Sequence, residues 1–385
     1  MLAALAFSMM AVATTDQTVN VTKGTKLDVS NFAGDVNVKV WDKDAVRVEV
    51  MHSDRETVDI KQDEGVVHIR GRSTRGGPPR SLDYTITIPG WMGVTVSGTY
   101  ADTTLDGVGG DVSVDTTRGD IKVRGGSGYI SLKSVQGEIT LEKAKGKIDV
   151  RGVNESLHLA DISGDLSAET TNGSITLDRI DSGNVDLYTV NGNISYDGPI
   201  KDKGVYRLTT HNGLIALPVP EKVNATLTLR TYNGSIRASF PLPTDAGAGS
   251  GAGAGSGAGT GAGSSDRERR NKRMTLTLGN GSAHVELESF GGSIALRRPG
   301  EARPELDRRR RERDNDPMDK AKEKAKEKGQ DIGRLDVDMD HIGVEVNRAL
   351  AAAQPEIDAA IAEAVGAVSA VMPLPHPIPM PHPRQ

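Results

Sequence analysis

Residues 169–196 read ETTNGSITLDRIDSGNVDLYTVNGNISY, and the echo inside this stretch decides the fold. The pair Asn172–Gly173 is followed by a short alternating segment, and 19 residues later the pair returns as Asn191–Gly192. Upstream, from Gly110, the chain divides into nines: GDVSVDTTR, GDIKVRGGS, GYISLKSVQ, GEITLEKAK, GKIDVRGVN, ESLHLADIS. Apolar residues fill the third and fifth places of each. Strand alternation therefore puts Val112 and Val114, Ile121 and Val123, Ile130 and Leu132, and Ile139 and Leu141 on one face. The inward series continues through Ile148, Val150, Leu157, Leu159, Leu166, Ile175, Leu177, Val185, Leu187 and Ile194. Two aliphatics per nine residues cannot close a core alone, but stacked coil on coil they form a continuous one.

A longer period runs through the corners: TTRG at Thr116, SVQG at Ser134, GVNE at Gly152, TTNG at Thr170, TVNG at Thr189, THNG at Thr210 and TYNG at Thr231. The steps are 18, 18, 18, 19, 21 and 21 residues, so one coil holds two strands and two corners. The predicted turn positions are Asn172 and Gly173, Asn191 and Gly192, Asn212 and Gly213, and Asn233 and Gly234. Glycine is expected there at positive φ, and asparagine because it tolerates left-handed geometry and bonds neighbouring backbone. Stacked in register, such asparagines would form a ladder. The fold class read from this pattern is all-β, a single-stranded parallel β-helix or β-solenoid with 18–21 residues per coil. Eight to ten coils are expected, each resting on the last, at a spacing of about 4.8 Å.

Composition agrees with a thin stack of strands. Of 385 residues 45 are glycine, and only 3% are aromatic. The net charge of −5 supplies no global field toward nucleic acid or anionic lipid. The absence of cysteine excludes disulfides, thiolate metal sites, cysteine nucleophiles and a lipid-modified N-terminal cysteine.

Around the repeat, residues 1–13 read as a secretory signal peptide: an apolar run from Leu2 closes on Ala11-Val12-Ala13, which places cleavage between Ala13 and Thr14. A basic n-region is missing, and the plain alternative is a buried N-terminal strand or helix. Residues 14–100 read as N-terminal strands and cap, with Trp41 or Trp91 closing the core or, in the sharper reading, offering a ligand platform. The solenoid spans 101–298 and is interrupted by a flexible Gly/Ala/Ser-rich insertion at 244–272. A charged linker (299–330), a helical segment (331–372) and a Pro-rich tail (373–385) follow. The helical segment is expected to cap the solenoid or to bind a partner. No segment offers eighteen uninterrupted apolar residues, so no transmembrane span is expected.

A β-solenoid can carry chemistry at its corners and on its outward faces. Calcium-binding nonapeptide rolls need aspartate at one recurring corner place. Here the corners offer Arg118, Gln136, Asn154 and Asn172 on one side and Ser127, Lys145 and Ser163 on the other. The sequence therefore predicts no carboxylate row and no bound metal. Outward positions Ser113, Ser131, Asp149, Ser167 and Asp186, and opposite them Lys122, Thr140, His158, Thr176 and Ser195, do not make an ice-binding threonine array. Asp149 and Asp186 could pair for glycan cleavage but lack aromatic companions for a sugar. No catalytic residues, no cofactor and no nucleic-acid partner are assigned.

The signal-like start, GDVNVKVWDKDAVRVEV from Gly34, and repeats ending in TTNGSITL and TVNGNISY together resemble the bacterial putative-adhesin family of β-strand-repeat proteins. The likeness covers roughly residues 20–298 outside the insertion. It implies a right-handed parallel β-helix outside the cytoplasm, associated in some members with envelope responses or surface attachment. It brings no catalytic residues to carry over. The expectation is an exported, non-enzymatic scaffold, extracytoplasmic, with an envelope glycan or a surface protein as partner. The alternatives are a β-helical polysaccharide lyase or hydrolase and a self-assembling structural envelope protein.

Overall fold

The computed structural model describes residues 12–242 and 272–301. The predicted helical segment and Pro-rich tail lie outside the described residues. So do nearly all of the predicted signal segment, the Gly/Ala/Ser-rich insertion and the charged linker. What is described is all-β and builds two sheets of 13 strands each.

The regular part comes straight from the alternation. Strands β10 (Val112–Arg118), β12 (Ser127–Gln136), β14 (Lys145–Gly152), β16 (Ser163–Thr170) and β18 (Asp181–Asn191) stack in parallel in one sheet. In the other lie β11 (Ile121–Gly125), β13 (Ile139–Glu142), β15 (Leu157–Ala160), β17 (Ile175–Asp178) and β19 (Ile194–Ser195). The inward columns run Val112, Ile130, Ile148, Leu166, Val185 in the first and Ile121, Ile139, Leu157, Ile175, Ile194 in the second. All ten are buried to 3% exposure or less. Each contributes roughly 1.5–3 kcal/mol on burial. The step from 18 to 19 residues arises at the corner opposite the Asn-Gly pairs, where the register shifts between Ser163 and Asp165.

The two ends are wound differently from the middle. At the N-terminal end β2 (Lys26–Ala33) and β3 (Val36–Trp41) form a coil that lies beneath the coil of β6 (Val66–Ser73) and β7 (Asp83–Pro89). The coil of β8 (Gly93–Tyr100) and β9 (Thr103–Val108) then stacks on the other side of β2 and β3, joining them to β10 and β11. Antiparallel strands finish this end: β4 (Ala45–Ser53) against β7, β1 (Val12–Asn20) against β4, and β5 (Glu56–Asp63) against β6.

The C-terminal end repeats the device. After β20 (Val205–Asn212) and β21 (Ile215–Pro218) the chain steps out to β22 (Ala225–Thr231) and β23 (Ile236–Ala238). It forms the antiparallel edge strand β24 (Lys272–Leu278) and then returns as β25 (Ala283–Ser289) and β26 (Ile294–Arg297), inserted between the two previous coils.

Three expectations are corrected. There are eleven parallel coils among the described residues, beyond the eight to ten expected. The coils do not each rest on the last: at the N-terminal end the first coil lies between the second and the third, and at the C-terminal end the last coil slots between the two before it. No tryptophan closes the core. Trp91 packs half-buried against it and donates to Asp44 Oδ1 at 3.2 Å, and the Trp41 indole donates to Ala45 O at 2.8 Å. The N-terminal interior is filled by Leu82, Tyr84, Ile86, Ile88 and Met92, all fully buried.

Candidate functional site: a laddered corner

Every coil turns from the first sheet to the second through the corner that carries the Asn-Gly pairs, and each corner position becomes a ladder along the stack. The innermost ladder is made of hydroxyls. Thr170, Thr189, Thr210, Ser289 and Thr231 are at most 1% exposed and donate to Glu155 O (3.1 Å), Gly173 O (2.9 Å), Gly192 O (2.9 Å), Gly213 O (2.9 Å) and Gly292 O (2.8 Å). A hydroxyl here satisfies a corner carbonyl that no strand ladder reaches.

The next position points out and makes a ridge. Val135 and Val153 are exposed in the middle coils. In three consecutive coils near the C-terminal end stand His211, Phe290 and Tyr232. Phe290 stacks on His211 at 4.7 Å and 6° and lies 4.9 Å from Tyr232 at 31°, with 42% of its surface exposed. Beside the ridge runs the amide ladder. Asn172 Nδ2 donates to Asn154 Oδ1 (3.2 Å), Asn191 to Asn172 (2.9 Å) and Asn212 to Asn191 (3.0 Å). Asn233 is not its next rung, because the inserted coil puts Gly291 above Asn212, and Asn233 instead donates its backbone N–H to Phe290 O.

Glycine follows for a reason other than the expected positive φ. Gly173, Gly192, Gly213 and Gly234 lie outside the left-handed region. A Cβ on any of them would stand on the carbonyl oxygen of the neighbouring coil, that of Glu155, Gly173, Gly192 and Gly292 in turn. Close approach of backbones excludes the side chain. Side-chained left-handed residues occur at the opposite corner, where Lys143, Asp161 and Arg179 have φ of 55°, 56° and 53°. There Arg179 grips Asp161 through two bonds of 2.6 and 2.9 Å, which holds the Asp161 carboxyl below the usual aspartate range.

One residue past the corner glycine, or past the residue that stands in its place, side-chain acceptors take the backbone N–H of the adjacent coil. Asp83 accepts from Asp35 (3.0 Å), Asp102 from Asp120 (2.8 Å) and Asp120 from Glu138 (2.9 Å). Ser156 accepts from Ser174 (3.2 Å) and Asn193 from Leu214 (2.9 Å). A carboxylate row therefore does exist, contrary to the expectation, through Asp83, Asp35, Asp102, Asp120 and Glu138. Burial, with Asp83 and Asp102 on either side, pushes the Asp35 carboxyl above the ordinary range. Among the described residues no group of three or more His, Asp or Glu side chains is gathered closely enough to hold a metal ion.

The other sequence candidates are dispersed. Asp149 and Asp186 stand on β14 and β18 with Ser167 of β16 between them. Asp149 pairs with Arg151 (3.1 Å) and Asp186 with Arg207 (3.7 Å). Ala13 and Thr14 lie in β1, opposite His52 and Met51. Among the described residues no helix is long and apolar enough to cross a membrane.

A family model described as Toastrack DUF4097 matches residues 6–297. The chain belongs to this family. Solved structures similar to this Toastrack chain include a putative cell adhesion protein from Clostridium sporogenes, with 9% identity, TM-score 0.20 and coverage of 75% of this chain and 100% of that one. A putative adhesin from Parabacteroides merdae matches with 13% identity, TM-score 0.34 and coverage of 53% and 95%. One from Bacteroides fragilis matches with 10% identity, TM-score 0.29 and coverage of 74% and 97%. No curated protein matches the sequence.

Proposed function

We propose that this Toastrack protein is an exported, non-enzymatic binding scaffold of the cell envelope or surface, and that the laddered corner is its contact surface. The observation that carries the reading is the corner itself. Exposed rings, amides and aliphatics repeat there at the strand spacing, about 4.8 Å, on backbone fixed by buried hydroxyls and by glycines that admit no slack. A rigid row of amides flanked by apolar edges suits an extended partner with its own repeat, such as an envelope glycan. Amides bond its hydroxyls and the ridge packs against its C–H faces. Export would leave Thr14 as the first residue, within β1.

A binding screen of the full chain against envelope glycans and peptidoglycan, with Phe290→Ala and Asn191→Ala as probes, tests this. Both variants are expected to weaken the same interaction at least tenfold. Binding that neither variant alters removes the corner from the account, and cleavage of any glycan in the panel removes the non-enzymatic reading. Fractionation with N-terminal sequencing tests export, and a strictly cytoplasmic protein contradicts it.

A further inference from the structure

The two ends of the solenoid fit each other, and we propose that it associates head to tail with further copies of this chain. Three observations converge. The first is the stepped outline of the ends. Beyond the outermost N-terminal coil, the sheet containing β7 carries two more strands, β4 and β1, whereas the sheet containing β6 carries one, β5. Beyond the outermost C-terminal coil, the former sheet carries none past β23 and the latter carries one, β24. Each end is thus stepped by one strand, in opposite senses, so that both sheets add the same 13 strands per copy and the steps interlock.

The second observation is strand direction. β5 and β24 both run against the coils, and β1 and β23 both run with them. A following copy in the same orientation would therefore set β24 parallel to β5 and β23 parallel to β1 at once. Among the described residues each of these four edges has a strand on one side only, which is the template for pairing with another chain.

The third is side-chain chemistry. On its outward face β5 holds Asp59 and Asp63 against one lysine, a net −1, whereas β24 holds Arg273 and no carboxylate, a net +1. Of the inward apolar residues of these strands, Leu276 is buried, but Val58 and Ile60 on β5 and Met274 and Leu278 on β24 are only half-buried. A coil stacked on either would cover them. A heterologous contact of this kind is open and propagates.

Sedimentation of the full chain over a concentration series, at low and high salt, tests the proposal. The expected result is an open distribution that passes beyond the dimer with concentration and retreats as salt rises. Arg273→Glu should weaken association at least tenfold, and Asp59→Lys, in the strand column that Arg273 continues, should alone do the same. Their combination should restore it. Arg273 is exposed and Asp59 partly so, and unchanged circular dichroism separates lost association from lost folding. A concentration-independent monomer, growth that stops at a dimer, or association indifferent to both charge reversals overturns the proposal.

Discussion

Replacing Thr189 with valine deletes one hydroxyl from the inside of the laddered corner while keeping the branched shape of the side chain. Thr189 is fully buried and its Oγ1 donates to Gly173 O at 2.9 Å. The valine variant leaves that carbonyl without its donor in a site water does not reach. The cost is the desolvation of one polar group, about 1–3 kcal/mol. Thr171, in the preceding corner, faces solvent, and the same substitution there should stay within about 0.5 kcal/mol. A stack whose coils contact only their neighbours opens locally, so the effect belongs to the coil of β18 and β19 and its neighbours. Native-state hydrogen exchange reads it directly. The amides of that coil should lose protection by about five- to 150-fold in Thr189→Val, at tenfold per 1.4 kcal/mol, and Thr171→Val should match the parent. Equal protection in both variants would refute the claim that buried hydroxyls hold the corner.

Two further outcomes follow from the same geometry. Gly192→Ala places a Cβ on the Gly173 carbonyl oxygen, where only the two backbones could give way. It should cost more than about 4 kcal/mol, seen as loss of the cooperative thermal transition. Asp35 titrates above the ordinary 3.8 of an aspartate because burial and its acidic neighbours disfavour its charge. The folded state therefore holds that proton more tightly than the unfolded chain, and stability falls as pH rises from 3.8 through the raised value. Asp35→Asn should raise the melting temperature at neutral pH, with the gain shrinking as pH drops through that window. A gain independent of pH would contradict the assignment.

Much of this was legible in the sequence, and what was not has identifiable causes. Ile121, Ile139 and Leu157 could be placed in one column because strand alternation and an 18-residue step are local regularities. The order of the terminal coils is not local. The 21-residue step from Thr210 to Thr231 looks like one more turn of the same winding, and nothing near Thr231 reveals that Ser289 will take the place between them. The trio His211, Phe290 and Tyr232 was hidden for the same reason. The hydroxyl ladder was visible as threonine at 170, 189, 210 and 231, but a threonine at a corner reads as a surface turn residue until its depth is known. The place before the corner glycine, with Arg118, Gln136 and Asn172, shows no carboxylate row, because Asp35, Asp120 and Glu138 stand just after it.

The exchanged coil order is the most direct point of attack on the architecture that presents the corner. The chain contains no cysteine, so introduced thiols report without background. Thr209 lies beside Glu288, which separates it from Arg230. Adjacent strands, about 4.8 Å apart, are within disulfide reach, and strands two coils apart, about 10 Å, are not. Mild oxidation should therefore close a bond within one chain in Thr209→Cys/Glu288→Cys and leave Thr209→Cys/Arg230→Cys open. The reverse result would mean that the coils wind in simple succession, and the corner described here would not exist in this form.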